Sequence, residues 1–433
     1  MVARTMRGIS MRAATMAIAA AAALLAPAAA QAGPKSPQRA IVTLGDSYIS
    51  GEAGRWKGNS TTTTGDSAGT DRAWNGTQPD PSRVYLGGSD ANGCHRSDVA
   101  EIMGVARPGL TALNLACSGS ETINVLRAAS GGKPYKDDQT QGDQLVDALK
   151  RYDVRVIVLS IGGNDLGFAD AAQSCVISYF TGGKPCRDTA QKQIEDRMPA
   201  TMSNVRHVID DVRAIMRQAG YDRDDYRFIL QSYSSPVPRG SENRLGESGW
   251  DRVNYGCGMW NADLDWARDT FVPRVSDELR AVADAEKVEF LDVRDLLQGH
   301  EACSKDAQTG ASAPDAQLEW ARVVTVSGPG DKQESLHPNA IGQAALGNCL
   351  RLVLADDDGD EWACRAGAGV APSAVRLVQI RRKLVDVERQ RKRPVDVTPD
   401  DDGDTEPWAG IDQDVVDLAI IRRGGLGPVT VAR

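Results

Sequence analysis

Five short runs rich in apolar and β-branched residues stand out along the chain, at 40–44, 111–116, 154–160, 227–232 and 288–292. The run 154–160 (VRVIVLS) is almost continuously branched and apolar, as a strand buried on both faces should be. Between the runs the period lengthens from two to three or four. Over 190–219, Ile194, Met198, Met202, Val205, Ile209, Val212 and Met216 recur in steps that line one face of a long helix. Further helical patterns cover 144–149, 262–285 and 339–355. Strands alternating with helices predict a parallel sheet covered on both sides. Five such strands fit an α/β, flavodoxin-like doubly wound sheet whose last helix closes the core near residue 355.

Two stretches break this rhythm. Residues 57–83 are rich in Gly, Thr, Ser, Asn and Pro and read as a long surface loop. After Arg365 the pattern changes in kind. Residues 375–380 alternate roughly, 381–393 are heavily basic, and 415–421 and 429–431 are candidate strands. We therefore expect 33–365 to form the main domain and 366–433 a tail or small β-type appendage. The acidic runs 356–361 (DDDGDE) and 400–404 (DDDGD) could cup Ca²⁺, but the distal glutamate of a calcium loop is not evident, so they read as solvated turns.

The N-terminus adds a location. Arg4, Arg7 and Arg12 precede an apolar stretch from Met16 to Leu25, Pro27 ends it, and Ala30-Gln31-Ala32 fits a small-x-small cleavage site. Residues 1–32 thus read as a secretory signal, too short in its apolar part to span a bilayer comfortably, and the mature protein is expected outside the cell. The formal charge of the 433-residue chain is −9, and losing the three signal arginines makes it more negative. Such a chain has no overall attraction for nucleic acid or an anionic membrane. The eight cysteines are an even set in an exported chain, which suggests disulfides. Sequence alone does not choose among the pairings, but the cysteines fall in local couples. The expected bridges are Cys94–Cys117, Cys175–Cys186, Cys257–Cys303 and Cys349–Cys364. No Cys-x-x-Cys occurs, and neither a metal nor an organic cofactor is expected.

Three segments carry candidate chemistry. Gly45-Asp46-Ser47 follows the first strand, where a doubly wound sheet opens its ligand crevice, so Ser47 stands where a nucleophile is useful or simply caps the next helix. Gly162-Gly163-Asn164-Asp165 follows the most buried strand and presents an amide donor, although it is also good turn chemistry. His337, just before a helix and followed by Pro338, has Glu334 three residues upstream. The other three histidines are less placed for chemistry: His207 lies in the long helix, His95 beside Cys94 and His300 near Cys303. A serine nucleophile needs a base, the base an orienting group, and the oxyanion donors. The three segments together supply all of these. A competing serine, Ser67 in Gly65-Asp66-Ser67-Ala68-Gly69, matches G-x-S-x-G but lies in the polar loop with no strand before it.

With these residues in view, the sequence resembles the SGNH hydrolases, the GDSL family of esterases and lipases. Gly45-Asp46-Ser47 is similar to the family's first block. Asn114-Leu115-Ala116-Cys117-Ser118-Gly119 resembles the second, in the form of exported actinomycete members. Gly162-Gly163-Asn164-Asp165 is similar to the third, and His337-Pro338-Asn339 to the fifth. The resemblance spans about residues 40–355 and leaves the tail unexplained. It implies Ser47 as nucleophile, His337 as general base, and an oxyanion hole of Ser47 N–H, Gly119 N–H and the Asn164 amide. The family usually carries Asp where this chain has Glu334. Glu334 is expected to orient His337, with a backbone carbonyl as the alternative used by some relatives. The implied activity is hydrolysis of carboxylic esters, small or lipidic. An acetyl-esterase or acyltransferase acting on carbohydrate, or a non-catalytic exported binding protein on the same scaffold, are the alternatives. Acyl preference and oligomeric state are not readable from spacing.

Overall fold

The computed structural model describes residues 37–59, 70–310, 312–325, 330 and 332–382. The signal segment, Ser67 and residues 383–433 lie outside the described residues. Among the described residues, seven strands form one sheet: β1 (Gln38–Gly45), β2 (Leu110–Asn114), β3 (Tyr152–Ser160), β4 (Arg227–Gln231), β5 (Glu289–Asp292), β6 (Gly359–Arg365) and β7 (Arg376–Arg382). Their order is β2-β1-β3-β4-β5-β6-β7, parallel throughout except that β7 runs antiparallel to β6. The helices in chain order are α1 (Ser47–Ser50), α2 (Thr122–Val125), α3 (Gln141–Leu149), α4 (Phe168–Phe180), α5 (Arg187–Gln218), α6 (Asp251–Asn254), α7 (Asn261–Trp266), α8 (Val272–Glu286) and α9 (Ala340–Val353). A π-helical stretch, Ala267–Phe271, runs α7 into α8.

The doubly wound α/β architecture expected from the pattern is present, and its five expected strands are β1 to β5. Strand residues alternate between two cores, as the pleat requires. Ala40, Val42 and Leu44 of β1 pack on the side covered by α5 and α8, while Ile41 packs on the side covered by α9. All seven apolar positions read for the long helix are buried in the first of these cores. In β3 the alternation shifts after Val154, because Ala40 pairs with Val154 and Ile41 with Val156. The extra residue, Arg155, turns outward to Asp153 (2.8 Å).

Three elements differ from the expectation. The parallel set has six strands rather than about five, since β6 (GDEWACR) continues it. Its polar residues hide it: Glu361 is buried because Arg280 Nε lies 2.8 Å away. The sheet also does not stop at Arg365. Strand β7 pairs with β6 over its length, so the segment read as the start of an appendage belongs to the main sheet through Arg382. The acidic run 356–361 is a turn only at its start, where Asp356 Oδ1 accepts the N–H groups of Asp358 and Gly359. Finally, α4 was not signalled by the periodicity at all.

Four disulfides are formed, joining Cys94 to Cys117, Cys175 to Cys186, Cys257 to Cys303 and Cys349 to Cys364. They are the local couples of the sequence. No helix among the described residues is long and apolar enough to cross a membrane.

Candidate active site

Strand β1 is flanked by β2 and β3, so the chain winds away from it in both directions, and the crevice of the sheet opens at the carboxyl ends of these strands. The chain leaving β1 must turn hard against β3. Gly45 permits this: its φ is +139°, and a Cβ there would lie 1.9 Å from the Ser160 carbonyl oxygen. Asp46 then caps α1 by accepting the Tyr48 N–H (3.1 Å), which sets Ser47 on the first turn. Asp46 is buried, and burial pushes its carboxyl up to about 7.

His337 reaches the same place from the other end of the chain. Asn339 caps α9 by accepting the N–H groups of Ile341 (3.0 Å) and Gly342 (3.2 Å), and its amide donates to the Glu319 carbonyl (2.7 Å). Gln343 on the same helix donates to the Tyr48 carbonyl (2.9 Å), which ties the helix behind His337 to the turn bearing Ser47. Ser47 Oγ and His337 Nε2 lie 2.6 Å apart across a separation of 290 residues. His337 Nδ1 is 2.9 Å from the Ser335 carbonyl oxygen. A carbonyl only accepts, so Nδ1 carries the proton and Nε2 presents its lone pair to the serine hydroxyl. Loss of solvent around the imidazole pulls its pKa below the ordinary value, partly opposed by the negative charge of Glu52.

Glu334 is not the orienting group expected from the sequence. Its carboxylate accepts from Trp56 Nε1 (2.7 Å) and from the Tyr85 hydroxyl (2.6 Å), in a buried layer beneath the loop. Leu336 holds a left-handed φ of +59°, which turns the backbone so that the Ser335 carbonyl, not the Glu334 side chain, meets the ring. The backbone-carbonyl alternative is the one found.

The second and third segments line the same crevice. The Asn164 amide donates to the Ser120 carbonyl (2.8 Å), and the second N–H of the same nitrogen is left for a ligand. Gly119 has a φ of +83° and sits two residues beyond Cys117, whose disulfide to Cys94 anchors the loop. Several residues that hold these parts together carried no sequence signal. The Gln141 amide spans Gly45, donating to its carbonyl and accepting from its N–H (2.7 Å each), and also reaches Ser120 Oγ (3.2 Å). The Tyr233 hydroxyl accepts from Gly163 N–H (3.1 Å) and donates to Asp46, joining the first and third segments. Glu52 is fully buried with Oε1 2.6 Å from His95 Nδ1, and that partner holds its carboxylate below the ordinary range despite burial. Such fixings are polar contacts between distant loops, which no local spacing encodes.

Beside Ser47 and His337 a cleft of about 580 Å³ opens to solvent. Its floor is polar at Asp46 and Asn164, and its far wall is apolar, built by Leu166, Phe168, Phe271, Val272 and Val275. Among the described residues, the groups that approach one another like metal ligands are Cys175, Cys186 and Asp263. The two sulfurs are joined to each other and offer no thiolate.

The sequence profile of the GDSL-like lipase/acylhydrolase family matches residues 43–345, from the end of β1 into α9. The chain belongs to this family. Membership makes it a carboxylic ester hydrolase, and the matched span contains Ser47, Gly119, Asn164 and His337. Lipase 1 of Streptomyces coelicolor is 26% identical over 336 residues, covering 76% of this chain and 92% of that protein. Among solved structures, a phospholipase A1 from Streptomyces albidoflavus is similar at 19% identity and a TM-score of 0.45, covering 74% of this chain and 99% of the other. An extracellular lipase from Streptomyces rimosus is similar at 20% identity and a TM-score of 0.41, covering 73% and 100%.

Proposed function

We propose that the chain is a secreted serine hydrolase that cleaves carboxylic esters by a two-step acyl-enzyme mechanism, with Ser47 as nucleophile and His337 as base. The observation that carries this reading is the 2.6 Å contact between Ser47 Oγ and the unprotonated Nε2 of His337. His337 takes the hydroxyl proton as Ser47 Oγ attacks the ester carbonyl. The tetrahedral oxyanion is held by the N–H groups of Ser47 and Gly119 and the Asn164 amide. The imidazolium donates its new proton to the departing alcohol, leaving the acyl group on Ser47. Water then attacks the acyl-enzyme with His337 again as base, and the acid leaves. The Ser335 carbonyl fixes the ring and its tautomer throughout. The apolar wall of the cleft favours the acyl part of a lipid or alkyl ester over a carbohydrate. The paired cysteines support an oxidising compartment, in keeping with the signal-like N-terminus.

Turnover of p-nitrophenyl butyrate tests the reading. Ser47→Ala and His337→Ala are each expected to lower kcat at least about a thousandfold, with unchanged thermal unfolding. Retention of more than about a tenth of the activity in Ser47→Ala would remove the nucleophile from the account.

A further inference from the structure

Tyr48 follows Ser47 in the chain, yet its side chain belongs with the loop that carries His337. The residue is buried on the single turn of α1. Its backbone is held at both ends: the N–H donates to Asp46 (3.1 Å), and the carbonyl accepts from the Gln343 amide (2.9 Å). From this fixed start the ring reaches the imidazole of His337, with centroids 5.1 Å apart and planes at 54°. Tyr233 packs edge-to-face on the same ring at 5.2 Å. The Tyr48 hydroxyl lies 3.2 Å from the Leu336 carbonyl oxygen and 3.3 Å from that of Ser234, and its single proton serves these two acceptors. Burial pushes the hydroxyl above the ordinary phenol range, so it keeps that proton and donates it.

Leu336 is the residue on which the orientation of His337 turns. Its φ of +59° is costly for a residue with a Cβ and persists only where the surroundings enforce it. Backbone bonds supply part of the restraint. The Leu336 N–H donates to the Arg322 carbonyl (2.9 Å), and the Arg322 N–H donates to the His337 carbonyl (2.9 Å). The Tyr48 hydroxyl adds a side-chain restraint at the Leu336 carbonyl. That oxygen lies in the planar peptide that ends at the His337 nitrogen, so holding it fixes the direction in which the imidazole leaves the backbone. The Ser335 carbonyl then meets Nδ1 at 2.9 Å. A main-chain carbonyl gives the ring one neutral hydrogen bond, weaker than the charge-assisted bond of a carboxylate. A ring oriented that way gains from a second restraint against rotation, and the Tyr48 ring stands where it supplies one.

We propose that Tyr48 is a positioning residue for His337: its hydroxyl holds the peptide plane that enters the histidine, and its ring bars rotation of the imidazole. Two adjacent residues of one turn thereby present the hydroxyl of Ser47 and set the ring that receives its proton. The proposal rests on the Ser47–His337 reading and adds to it the group that keeps Nε2 facing the serine from one turnover to the next. Tyr48 exchanges no proton with substrate; it acts through the placement of His337.

The test reads the tautomer of His337 and the kinetics of the full chain side by side. Histidine is labelled with nitrogen-15 for NMR, and the His337 signals are those missing from His337→Ala. At a pH above its pKa, the wild-type ring is expected as one neutral tautomer, protonated on Nδ1. Tyr48→Phe keeps the ring and loses the hydroxyl. Its His337 is expected to populate both tautomers, with kcat for p-nitrophenyl butyrate at least about tenfold lower and KM within about twofold of wild type. Tyr48→Leu, which loses the ring as well, is expected to fall further. Active sites are counted by fluorophosphonate titration, so a loss of folded protein does not enter kcat. A side chain that only stabilised the fold would lower the thermal midpoint and leave the tautomer and the titrated kcat as they are. A wild-type tautomer in Tyr48→Phe therefore overturns the proposal, as does a kcat within about twofold of wild type. The tautomer is read without turnover, so it judges Tyr48 even if Ser47→Ala proves active. An inactive Ser47→Ala beside an unchanged tautomer in Tyr48→Phe keeps the catalytic reading and rejects this one.

Discussion

At the scale of single residues, the distinctive feature is an imidazole, that of His337, oriented by a main-chain oxygen. A carbonyl fixes the imidazole tautomer as a carboxylate does, but it lends less charge to the imidazolium. The buried Glu52 carboxylate supplies part of that charge from further away. Two outcomes follow. Glu334→Gln, which keeps one acceptor for Trp56 or Tyr85, is expected to lower kcat less than about tenfold while lowering the thermal midpoint. In a Ser–His–Glu triad, the same change would cost on the order of 10⁴ in kcat. The pKa of His337 is held below its ordinary 6.5 chiefly by burial, and in the proposed mechanism only its neutral form accepts the serine proton. Activity is therefore retained as pH falls past 6.5 and lost only through the lower folded-state pKa, so the acidic limb of kcat/KM is expected below pH 6.5. A limb above that value would contradict the burial argument. The meeting of Ser47 and His337 was legible because their motifs name both residue and context. The role of Glu334 was not, since one left-handed residue, Leu336, decides whether its side chain or the next carbonyl faces the ring.

At the scale of elements, the site is a set of loops held against each other. Cys94–Cys117 pins the loop that carries Gly119, and Ser118 N–H donates to the Cys94 carbonyl (3.0 Å) beside it. Replacing both cysteines by Ala is expected to cost about 2–4 kcal/mol of stability. It is also expected to lower kcat more than replacing both Cys349 and Cys364, whose bridge joins α9 to β6 away from the crevice. Equal kcat for the two double variants would show that the first bridge does not serve the proposed oxyanion role of the Gly119 loop. Strands β1 and β3 and helix α5 were plain in the sequence because burial on both faces, or along one stripe, writes an unmixed apolar pattern. Helix α4 was not plain. Its sequence FADAAQSCVISYF buries Ala171, Cys175 and Tyr179 yet exposes Ile177 and Phe180, so apolar residues lie on both sides and no stripe stands out. The missed helix gives Phe168 and Ala169 to the cleft, beside Val272 and Val275 of α8.

At the scale of the whole molecule, the sheet extends further than the catalytic motifs. Trp362 of β6 is fully buried, its ring N–H donates to Asp356 (2.9 Å), and β7 covers the edge that β6 would otherwise expose. A chain ended after Arg365 is expected to aggregate or to unfold at a much lower temperature, whereas one ended after Arg382 keeps kcat/KM within about twofold. Soluble, equally stable protein from the shorter chain would return β7 to the status of an appendage. The boundary was hidden because β6 and β7 are rich in charges satisfied by partners elsewhere in the chain, such as Arg280 for Glu361 and Asp284 for Arg381 (2.5 Å). In the proposed mechanism, the hydroxyl at the end of β1 is the nucleophile around which the rest of the crevice is arranged. Its most direct test is peptide mapping by mass spectrometry after reaction with a fluorophosphonate. One adduct per chain is expected, on the peptide containing Ser47 and absent from His337→Ala; an adduct on Ser67 or another serine, or no adduct on an active preparation, would show that Ser47 is not the nucleophile.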